Sequence, residues 1–283
     1  MRSLSGVGAR PQFIKAAPVQ RALRRQHQVL QVHTGQHYDD NMSAVFYREL
    51  GIPEPDVHLG VGSGSHARQT AMMLERLAPV IDDARPDCVV IYGDTNTTLA
   101  AAVVAAKLVV PVGHVEAGLR SFNRAMPEEQ NRVVADHLST LLFCPTDAAV
   151  RNLAAEGITR GVHLVGDVMA EALSEAAVRA GAESTVLERL GLRDRGYALA
   201  TVHRAENTDD PARLGGILEA FARLRRPVVL PLHPRTGKVL QAAGVAVAAN
   251  VRLVEPVSYL DMLRLERSAR LILTDSGGVQ KEA

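Results

Sequence analysis

The sequence contains little cysteine and no long apolar run. Its 283 residues include only Cys88 and Cys144, each in or beside a short apolar segment. Two such thiols, without histidines at metal-ligand spacing, exclude a disulfide-stabilised scaffold and a zinc site. No apolar run reaches the length of a transmembrane helix, and the N-terminus lacks the pattern of a signal peptide. We therefore expect a cytoplasmic enzyme.

An excess of charge of either sign is also missing. The chain has 32 Lys and Arg against 31 Asp and Glu, and its formal net charge is +1. A balanced surface offers no general attraction to nucleic acid or to an anionic membrane, so we expect neither as a partner. Any site for an anion must be built locally.

Several common site motifs are absent as well. No G-x-G-x-x-G follows a predicted strand, which argues against a bound dinucleotide, and no G-x-S-x-G indicates an α/β hydrolase. Gly62–Ser65 is a loop without the lysine of a phosphate-binding P-loop. His33 and His37 lie four residues apart, but no further ligands occur at convincing spacing. We expect no metal and no cofactor.

The sequence does contain a regular alternation of strand and helix patterns. The apolar run Cys88–Ile91 is followed by capping residues at Asp94–Thr98, an alanine-rich stretch at Leu99–Leu108 and a second apolar run at Val109–Val112. This order predicts a strand–helix–strand crossover, which requires a parallel sheet. Further predicted strands are Val29–Val32, Leu141–Cys144, Val162–Val165, Ala198–Val202, Val228–Leu230 and Leu271–Leu273.

Strands that alternate with helices along the whole chain predict a doubly wound α/β fold. The length of the chain suits two domains. A polar helical stretch after Asp167 places their boundary close to that residue. We expect an N-terminal domain at residues 1–169 and a C-terminal domain at residues 170–283.

Polar residues occupy the positions just after, or close to, the apolar runs. They are Asp94, Glu116, His203, His233 and Ser276. In open α/β sheets, ligands bind outside the carboxyl ends of the strands, so we expect the active site there. Three carboxylates, Asp94, Glu116 and Glu128, could act as general acids and bases, because neighbouring carboxylates raise one another's pKa. His203 could join them or bind a phosphate.

The segment Gly8–Lys15 has the residues of an anion site. A glycine and a proline suit a helix start, and Arg10 and Lys15 would flank it. Backbone N–H groups and the helix dipole favour a diphosphate at such a start. A solvated basic turn would have the same pattern, and spacing alone does not distinguish the two.

A glycine pair follows the last predicted strand. Gly277 and Gly278 lie at a strand-to-helix turn that can hold a phosphate, although a tight turn also requires glycine. Glu282 would lie about a turn and a half into the helix by helical pitch. There it could accept hydrogen bonds from ribose hydroxyls or remain an exposed carboxylate.

Another helix start is predicted at Pro127. Glu128 and Glu129 fill its first turn, where the helix dipole favours carboxylates. This preference explains at least one of the two glutamates without a catalytic role. Arg132 follows Glu128 by four residues, and Asp136 follows Arg132 by four, so these residues could form ion pairs along one helix face.

Eight short motifs follow one another along nearly the whole chain. They are Gly8–Lys15, Thr34–His37, Tyr92–Asn96, His114–Arg120, Met126–Glu129, Asn131–Arg132, His203–Asn207 and Thr274–Gly278. In this order they resemble the motifs of the non-hydrolysing UDP-N-acetylglucosamine 2-epimerases. The resemblance implies a GT-B fold of two Rossmann-like domains, no metal or nicotinamide, a UDP-sugar as partner and a homodimer.

The resemblance also implies a reaction and its residues. UDP is eliminated anti from the sugar to leave a 2-acetamidoglucal, and UDP then re-adds with a proton on the opposite face of C2. Asp94, Glu116 and Glu128 resemble the acid–base carboxylates, and His203 a catalytic or diphosphate-binding residue. Substrate contacts are implied at Arg10, Lys15, Arg132, His233, Ser276, Gly277, Gly278 and Glu282.

Bacterial relatives bind a second UDP-N-acetylglucosamine as an activator. The matching residues are Gln36, His37, Arg68 and Gln69, although Asp39 stands where those relatives carry glutamine. The Ser121–Asn123 segment is closer to a subgroup that acts on modified sugars such as 2,3-diacetamido uronates. A UDP-2,3-diacetamido sugar is therefore an alternative substrate.

The resemblance further suggests that the second domain is incomplete, since relatives continue for several dozen residues past the position of Ala283. Arg2, Ser3 and Ser5 are expected to interrupt the first strand. Three other functions stay open. These are a UDP-sugar glycosyltransferase of the GT-B type, a hydrolysing relative that releases UDP and N-acetylmannosamine, and an inactive fragment that only binds a UDP-sugar.

Overall fold

Parallel pairing organises the strands in the part of the chain that the structure describes. The computed structural model describes residues 1–35, 47–202, 204–208, 210–232, 236–237, 239–240 and 247–283. The chain divides into two units, Met1–Ala172 and Leu173–Ala283, each with a parallel sheet and helices. The predicted α/β fold with parallel sheets is confirmed. Within the described ranges, no helix combines the length and apolarity needed to cross a bilayer.

The first unit has the strand order of a Rossmann fold. Its strands are β1 (Arg2–Val7), β2 (Gln28–His33), β3 (Val57–His58), β4 (Cys88–Tyr92), β5 (Val112–Val115), β6 (Leu141–Cys144) and β7 (Val162–Leu164). They form one sheet in the order β3-β2-β1-β4-β5-β6-β7. The order reverses between β1 and β4, and ligands of such sheets bind at the carboxyl ends of the strands beside that reversal.

Helices follow most of these strands. They are α1 (Arg10–Leu23), α2 (His66–Ala84), α3 (Asn96–Lys107), α4 (Pro127–Leu138) and α5 (Asp147–Ala155), and a further helix, α6 (Val168–Glu183), begins in this unit and ends in the second. Met73, Leu77 and Ile81 recur every four residues along α2 and are fully buried with apolar residues of β1, β2 and β4. Burial of each such side chain stabilises the fold by about 1.5–3 kcal/mol. This packing fixes the helices whose N-termini surround the carboxyl edge of the sheet.

The second unit contains a smaller sheet. Its strands are β8 (Ala198–Thr201), β9 (Val228–Pro231), β10 (Val251–Val254) and β11 (Leu271–Thr274), in the order β10-β9-β8-β11. Its helices are α7 (Val186–Arg189), α8 (Ala205–Thr208), α9 (Pro211–Ala222), α10 (Tyr259–Ser268) and α11 (Gly277–Glu282). Because β8 and β11 are neighbours, the turns that follow them share one edge of the sheet.

The expected interruption of the first strand is wrong. β1 lies in the middle of its sheet, between β2 and β4, and Ser3 and Ser5 are fully buried in it. Their hydroxyls are tolerated there because they find partners. Ser5 Oγ accepts a hydrogen bond from Gln20 Nε2 at 2.9 Å and lies 3.1 Å from the Tyr92 hydroxyl. A buried polar group costs little once it is hydrogen-bonded.

We predict that Gly161→Ala destabilises the first unit far more than Gly157→Ala. Both glycines have left-handed backbones, with φ of +70° and +81°, and alanine there costs about 1–2 kcal/mol. At Gly161 the new Cβ would also lie 2.1 Å from the Thr140 carbonyl oxygen, whereas at Gly157 no atom lies within 4 Å. Urea unfolding should show an additional loss of about 1–3 kcal/mol at position 161. Equal losses would contradict this steric account.

Candidate active site

Two of the predicted catalytic carboxylates follow neighbouring strands. Glu116 comes directly after β5, and Asp94 follows β4 with Gly93 between. Tyr92 at the end of β4 is paired with Val115 at the end of β5. The parallel register therefore brings both carboxylates to the same edge of the first sheet, beside the reversal in strand order.

A buried ion pair joins α1 to this edge. Lys15 and Glu116 are 7% and 8% exposed, and Lys15 Nζ donates a hydrogen bond to Glu116 Oε2. The pair packs against the backbone of Gly93, where a Cβ would lie 2.9 Å from Lys15 Nζ and 3.2 Å from Glu116 Oε2. Glycine is thus required at this turn by its φ of +61° and by the ion pair itself.

Glu116 has an uncommon backbone conformation. Its φ is +70°, in the left-handed region, which costs a residue with a side chain about 1–3 kcal/mol. The amides of Glu116 and Ala117 both donate to the carbonyl oxygen of Phe143 at 3.1 Å. Such conformations cluster at functional sites, so the outlier supports a role for Glu116 beyond packing.

Asp94 is held by α4. Arg132 Nη2 donates to Asp94 Oδ2 at 2.5 Å, and Asn131 Nδ2 donates to the backbone carbonyl of Asp94 at 2.9 Å. The other terminal nitrogen of Arg132 donates to Glu129 Oε2 at 3.1 Å. Arg132, which the sequence suggested as a substrate contact, therefore binds two carboxylates of the protein itself.

The two adjacent glutamates of α4 differ completely. Glu129 is buried and accepts hydrogen bonds from the Ser121 and Phe122 amides, each at 2.8 Å, and from Ser121 Oγ at 3.0 Å. Burial raises the pKa of Glu129, but these bonds and Arg132 outweigh it and hold the pKa below its usual range. Glu128 is half-buried, and its side chain makes no hydrogen bond or ion pair with any residue in the described ranges, so it does not form the pair with Arg132 that the spacing suggested. Its carboxylate is the one available to a ligand.

A second buried hydrogen-bond network lies beneath the turn at Gly93 and Asp94. His114 Nδ1 is 2.7 Å from Asp136 Oδ1, and His114 Nε2 is 2.7 Å from the Gly93 carbonyl oxygen. Arg120 Nη1 donates to Asp136 Oδ2 at 2.7 Å. Burial raises the pKa of Asp136, yet His114 and Arg120 hold it below its usual range. Asp136 thus does not pair along its own helix with Arg132, as the spacing had suggested, but supports the turn that carries Asp94.

The start of α1 contains a residue that the sequence analysis did not single out. Gln12 Oε1 accepts hydrogen bonds from the Gly8 and Ala9 amides at 2.9 and 3.2 Å, while Gln12 Nε2 donates to the Tyr92 carbonyl at 3.1 Å. These two amides, expected to face an anion, are occupied by the protein. A glutamine at the third helical position is a capping signal that could have revealed this. Arg10 is the first residue of α1.

In the second unit, the residues predicted to bind phosphate lie at one turn. Ser276 caps α11 by accepting from the Val279 amide at 3.3 Å, and Gly277 and Gly278 open that helix, which ends at Glu282. The preceding residue, Asp275, accepts from the Arg204 amide at 3.0 Å. The turns after β11 and β8 are therefore tied together at the carboxyl edge of the second sheet.

Comparison with known proteins decides the family. A family model described as UDP-N-acetylglucosamine 2-epimerase matches residues 21–283. The chain belongs to the UDP-N-acetylglucosamine 2-epimerase family. It is 49% identical to a UDP-2,3-diacetamido-2,3-dideoxy-D-glucuronate 2-epimerase of Pseudomonas aeruginosa, over 100% of this chain and 80% of that protein. It is 48% identical to a UDP-N-acetylglucosamine 2-epimerase homolog of Methanococcus maripaludis, over 100% of this chain and 81% of that protein.

A solved structure of the same epimerase family is closely similar. The UDP-GlcNAc 2-epimerase of Methanocaldococcus jannaschii, in complex with UDP-GlcNAc and UDP, has a TM-score of 0.90 and 42% identity. The match covers 100% of this chain and 81% of that one. The family and the GT-B type of fold that the eight motifs indicated are confirmed.

Other predicted residues of this epimerase-family chain are only partly described. Arg68 is exposed in the first turn of α2, while Gln69 is buried, donates to the Gly62 carbonyl at 2.7 Å and accepts from Asn96 Nδ2 at 3.0 Å. His203, His233, Gln36 and His37 lie outside the described residues. Among the residues that are described, no group of three His, Cys, Asp or Glu side chains could hold a metal ion.

We predict that Asp136→Asn lowers the stability of this epimerase-family chain by about 1–3 kcal/mol at pH 7, because buried donors at this position lose their charged acceptor while Arg120 keeps Glu156 as its second carboxylate partner. The folded pKa of Asp136 lies below the unfolded value, which is about 3.9. Its contribution is therefore complete above that value and is lost as the pH falls through the folded pKa. Urea unfolding at pH 7 and at successively lower pH should show the difference from wild type shrinking.

The exposed Asp83→Asn substitution on α2 is the matched control and should change the stability little at either pH. A loss at Asp136→Asn that stays constant down to low pH would contradict the assignment of this buried charge.

Proposed function

We propose that this chain catalyses epimerisation at C2 of a UDP-2-acetamido sugar, the interconversion of UDP-GlcNAc and UDP-ManNAc. Membership of the family supports the reaction, and a relative of 42% identity was solved with UDP-GlcNAc and UDP bound. The observation that carries the proposal is the group at the edge of the first sheet. Asp94, Glu116 and Glu128 all come from turns or a helix start there, with Lys15 and Arg132 as the adjoining cations.

The chemistry needs groups of this kind. A base removes the C2 proton, the C1–O bond breaks with its electron pair leaving on UDP, and a 2-acetamidoglucal remains. UDP then re-adds at C1, and an acid delivers a proton to the opposite face of C2. Two proton carriers on different faces of the ring are therefore required, and carboxylates can fill both roles.

We assign the proton carriers from the partners of each carboxylate. The assignment of Glu128 as a proton carrier is supported because no described residue binds its carboxylate. The assignment of Asp94 is supported because Arg132 holds one of its two carboxylate oxygens. Glu116, which is paired with Lys15, is proposed to act beside them. Positive side chains next to the leaving group would stabilise the negative charge that develops on UDP.

The remaining assignments belong to the same proposal. The residues proposed to contact the nucleotide sugar are Arg10, Lys15, Arg132, His203, His233, Ser276, Gly277, Gly278 and Glu282. We also propose an activating UDP-GlcNAc at Gln36, His37, Arg68 and Gln69, a homodimer and a cytoplasmic location. A UDP-2,3-diacetamido sugar is the second candidate substrate, favoured by 49% identity to an enzyme named for such a sugar.

Proton NMR of UDP-GlcNAc in D2O tests the proposal. We expect deuterium at C2 and the appearance of the manno epimer with wild type. Asp94→Asn, Glu116→Gln and Glu128→Gln should each slow exchange by about 100-fold or more, the usual contribution of an acid–base group. Asp83→Asn, on an exposed surface of α2, should retain the wild-type rate.

Other results would reject parts of the proposal. Exchange only with a UDP-2,3-diacetamido sugar would replace the substrate, and release of UDP with free N-acetylmannosamine would replace the reaction by hydrolysis. Undiminished exchange in all three carboxylate variants would reject the assigned residues.

A further inference from the structure

Glu129 is a buried carboxylate that the proposed reaction does not use. It is 4% exposed, and burying a charge is costly unless several donors compensate it. The backbone amides of Ser121 and Phe122, the Ser121 hydroxyl and Arg132 Nη1 all donate to it. Four donors from two different segments exceed what a helix start needs, so the carboxylate joins these segments.

The first segment is a strained loop. Phe122 has a φ of +58°, in the left-handed region, and the residue is 77% exposed. Packing of the aromatic ring therefore does not account for the conformation, which costs about 1–3 kcal/mol. Hydrogen bonds from the Ser121 and Phe122 amides to the Glu129 carboxylate anchor the backbone at this strained residue, because the carboxylate accepts from two successive N–H groups.

The second segment leads to the proposed proton carrier. Arg132 lies one helical turn after Glu129 and uses one terminal nitrogen for Glu129 Oε2 and the other for Asp94 Oδ2. The planar guanidinium is rigid, so fixing one nitrogen also fixes the direction of the second. Asp94 Oδ1 has no partner among the described residues and is left for a ligand. Loop, glutamate, arginine and aspartate thus form one connected chain.

We propose that Glu129 is a positioning residue that, through Arg132, holds Asp94 in the orientation needed for proton transfer at C2 of the sugar. The inference rests on the proposed function in assigning the proton transfer to Asp94. It also distinguishes the two neighbours of the glutamate pair, since Glu128 would meet the substrate whereas Glu129 would act only through Arg132. Because the Ser121 and Phe122 backbone holds Glu129, and Glu129 holds Arg132, that segment sets the position of Arg132 relative to the sheet edge.

The kinetic test is Glu129→Gln, which keeps the shape but turns a donor toward the amides and Arg132. We expect kcat to fall about 10-fold to 100-fold, since small misplacements of a reacting group have costs of this size. KM should change by a smaller factor than kcat, because Glu129 reaches the nucleotide sugar only through Arg132. Gln130→Ala is the matched control. Gln130 Nε2 donates to the Arg124 carbonyl of the same loop without contacting Arg132, so kcat should be retained.

Unchanged kcat in a folded Glu129→Gln protein, or a loss confined to KM, would overturn the proposal. So would an equal loss of kcat in Gln130→Ala, because general loosening of the loop would then explain the effect. If Glu129→Gln does not fold, Glu129→Asp retains the charge but shortens the side chain by one methylene. It should give the same fall in kcat with a smaller change in KM, and wild-type kcat in that variant would count equally against the proposal.

A structural measurement separates this inference from the proposed function. The crystal structure of unliganded Glu129→Gln or Glu129→Asp should show Arg132 turned away from Asp94, whatever reaction the enzyme performs. If Arg132 and Asp94 keep their wild-type contact, Glu129 does not position them and the inference is wrong. If the contact is lost but the wild type leaves C2 unexchanged on every UDP-sugar, the geometric link stands, the proposed function fails and the catalytic role of Glu129 fails with it.

Discussion

The rest of the site depends on the packing of the turn at Gly93. It has a left-handed backbone, and a side chain there would collide with the ammonium group of Lys15. From the other side, His114 Nε2 lies 2.7 Å from the Gly93 carbonyl oxygen. Because this turn is held on both sides, the next residue, Asp94, leaves the sheet in a fixed direction. The pair of Lys15 and Glu116 can then lie against bare backbone.

Buried charge in this unit is arranged as pairs and bridges. Arg132 joins Asp94 to Glu129, and Arg120 joins Asp136 to Glu156. Removing such charges from water costs about as much as their attraction returns, so they add little net stability. What they supply is geometry, because a guanidinium with two carboxylate partners permits few orientations. The ion pairs that fix the geometry of the site therefore also limit which carboxylates remain available to a substrate.

Much of the scaffold could be predicted because it depends on local pattern. The apolar runs that marked Cys88–Ile91 and Leu141–Cys144 form β4 and β6. Their carboxyl ends carry the polar residues expected there. The same pattern wrongly predicted that Ser3 and Ser5 interrupt the first strand. A serine hydroxyl can be buried in a strand when it has a hydrogen-bond partner, and the Tyr92 that lies beside Ser5 is 87 residues away in sequence. Long-range partners are invisible to periodicity, and the hydrogen bond from Gln12 to the Tyr92 carbonyl, 80 residues away, is a second example, whereas its bonds to Gly8 and Ala9 follow a local capping pattern.

The glutamate pair of α4 shows what the helix dipole can and cannot decide. It favours a carboxylate at both Glu128 and Glu129, so the sequence alone treats them as equivalent. Successive residues point about 100° apart around a helix, as 3.6 residues per turn requires. One carboxylate therefore meets the loop at Ser121 and the other does not. Their division of roles arises from this rotation and from the loop, because only the buried Glu129 must be matched by donors while the half-buried Glu128 stays open to a ligand.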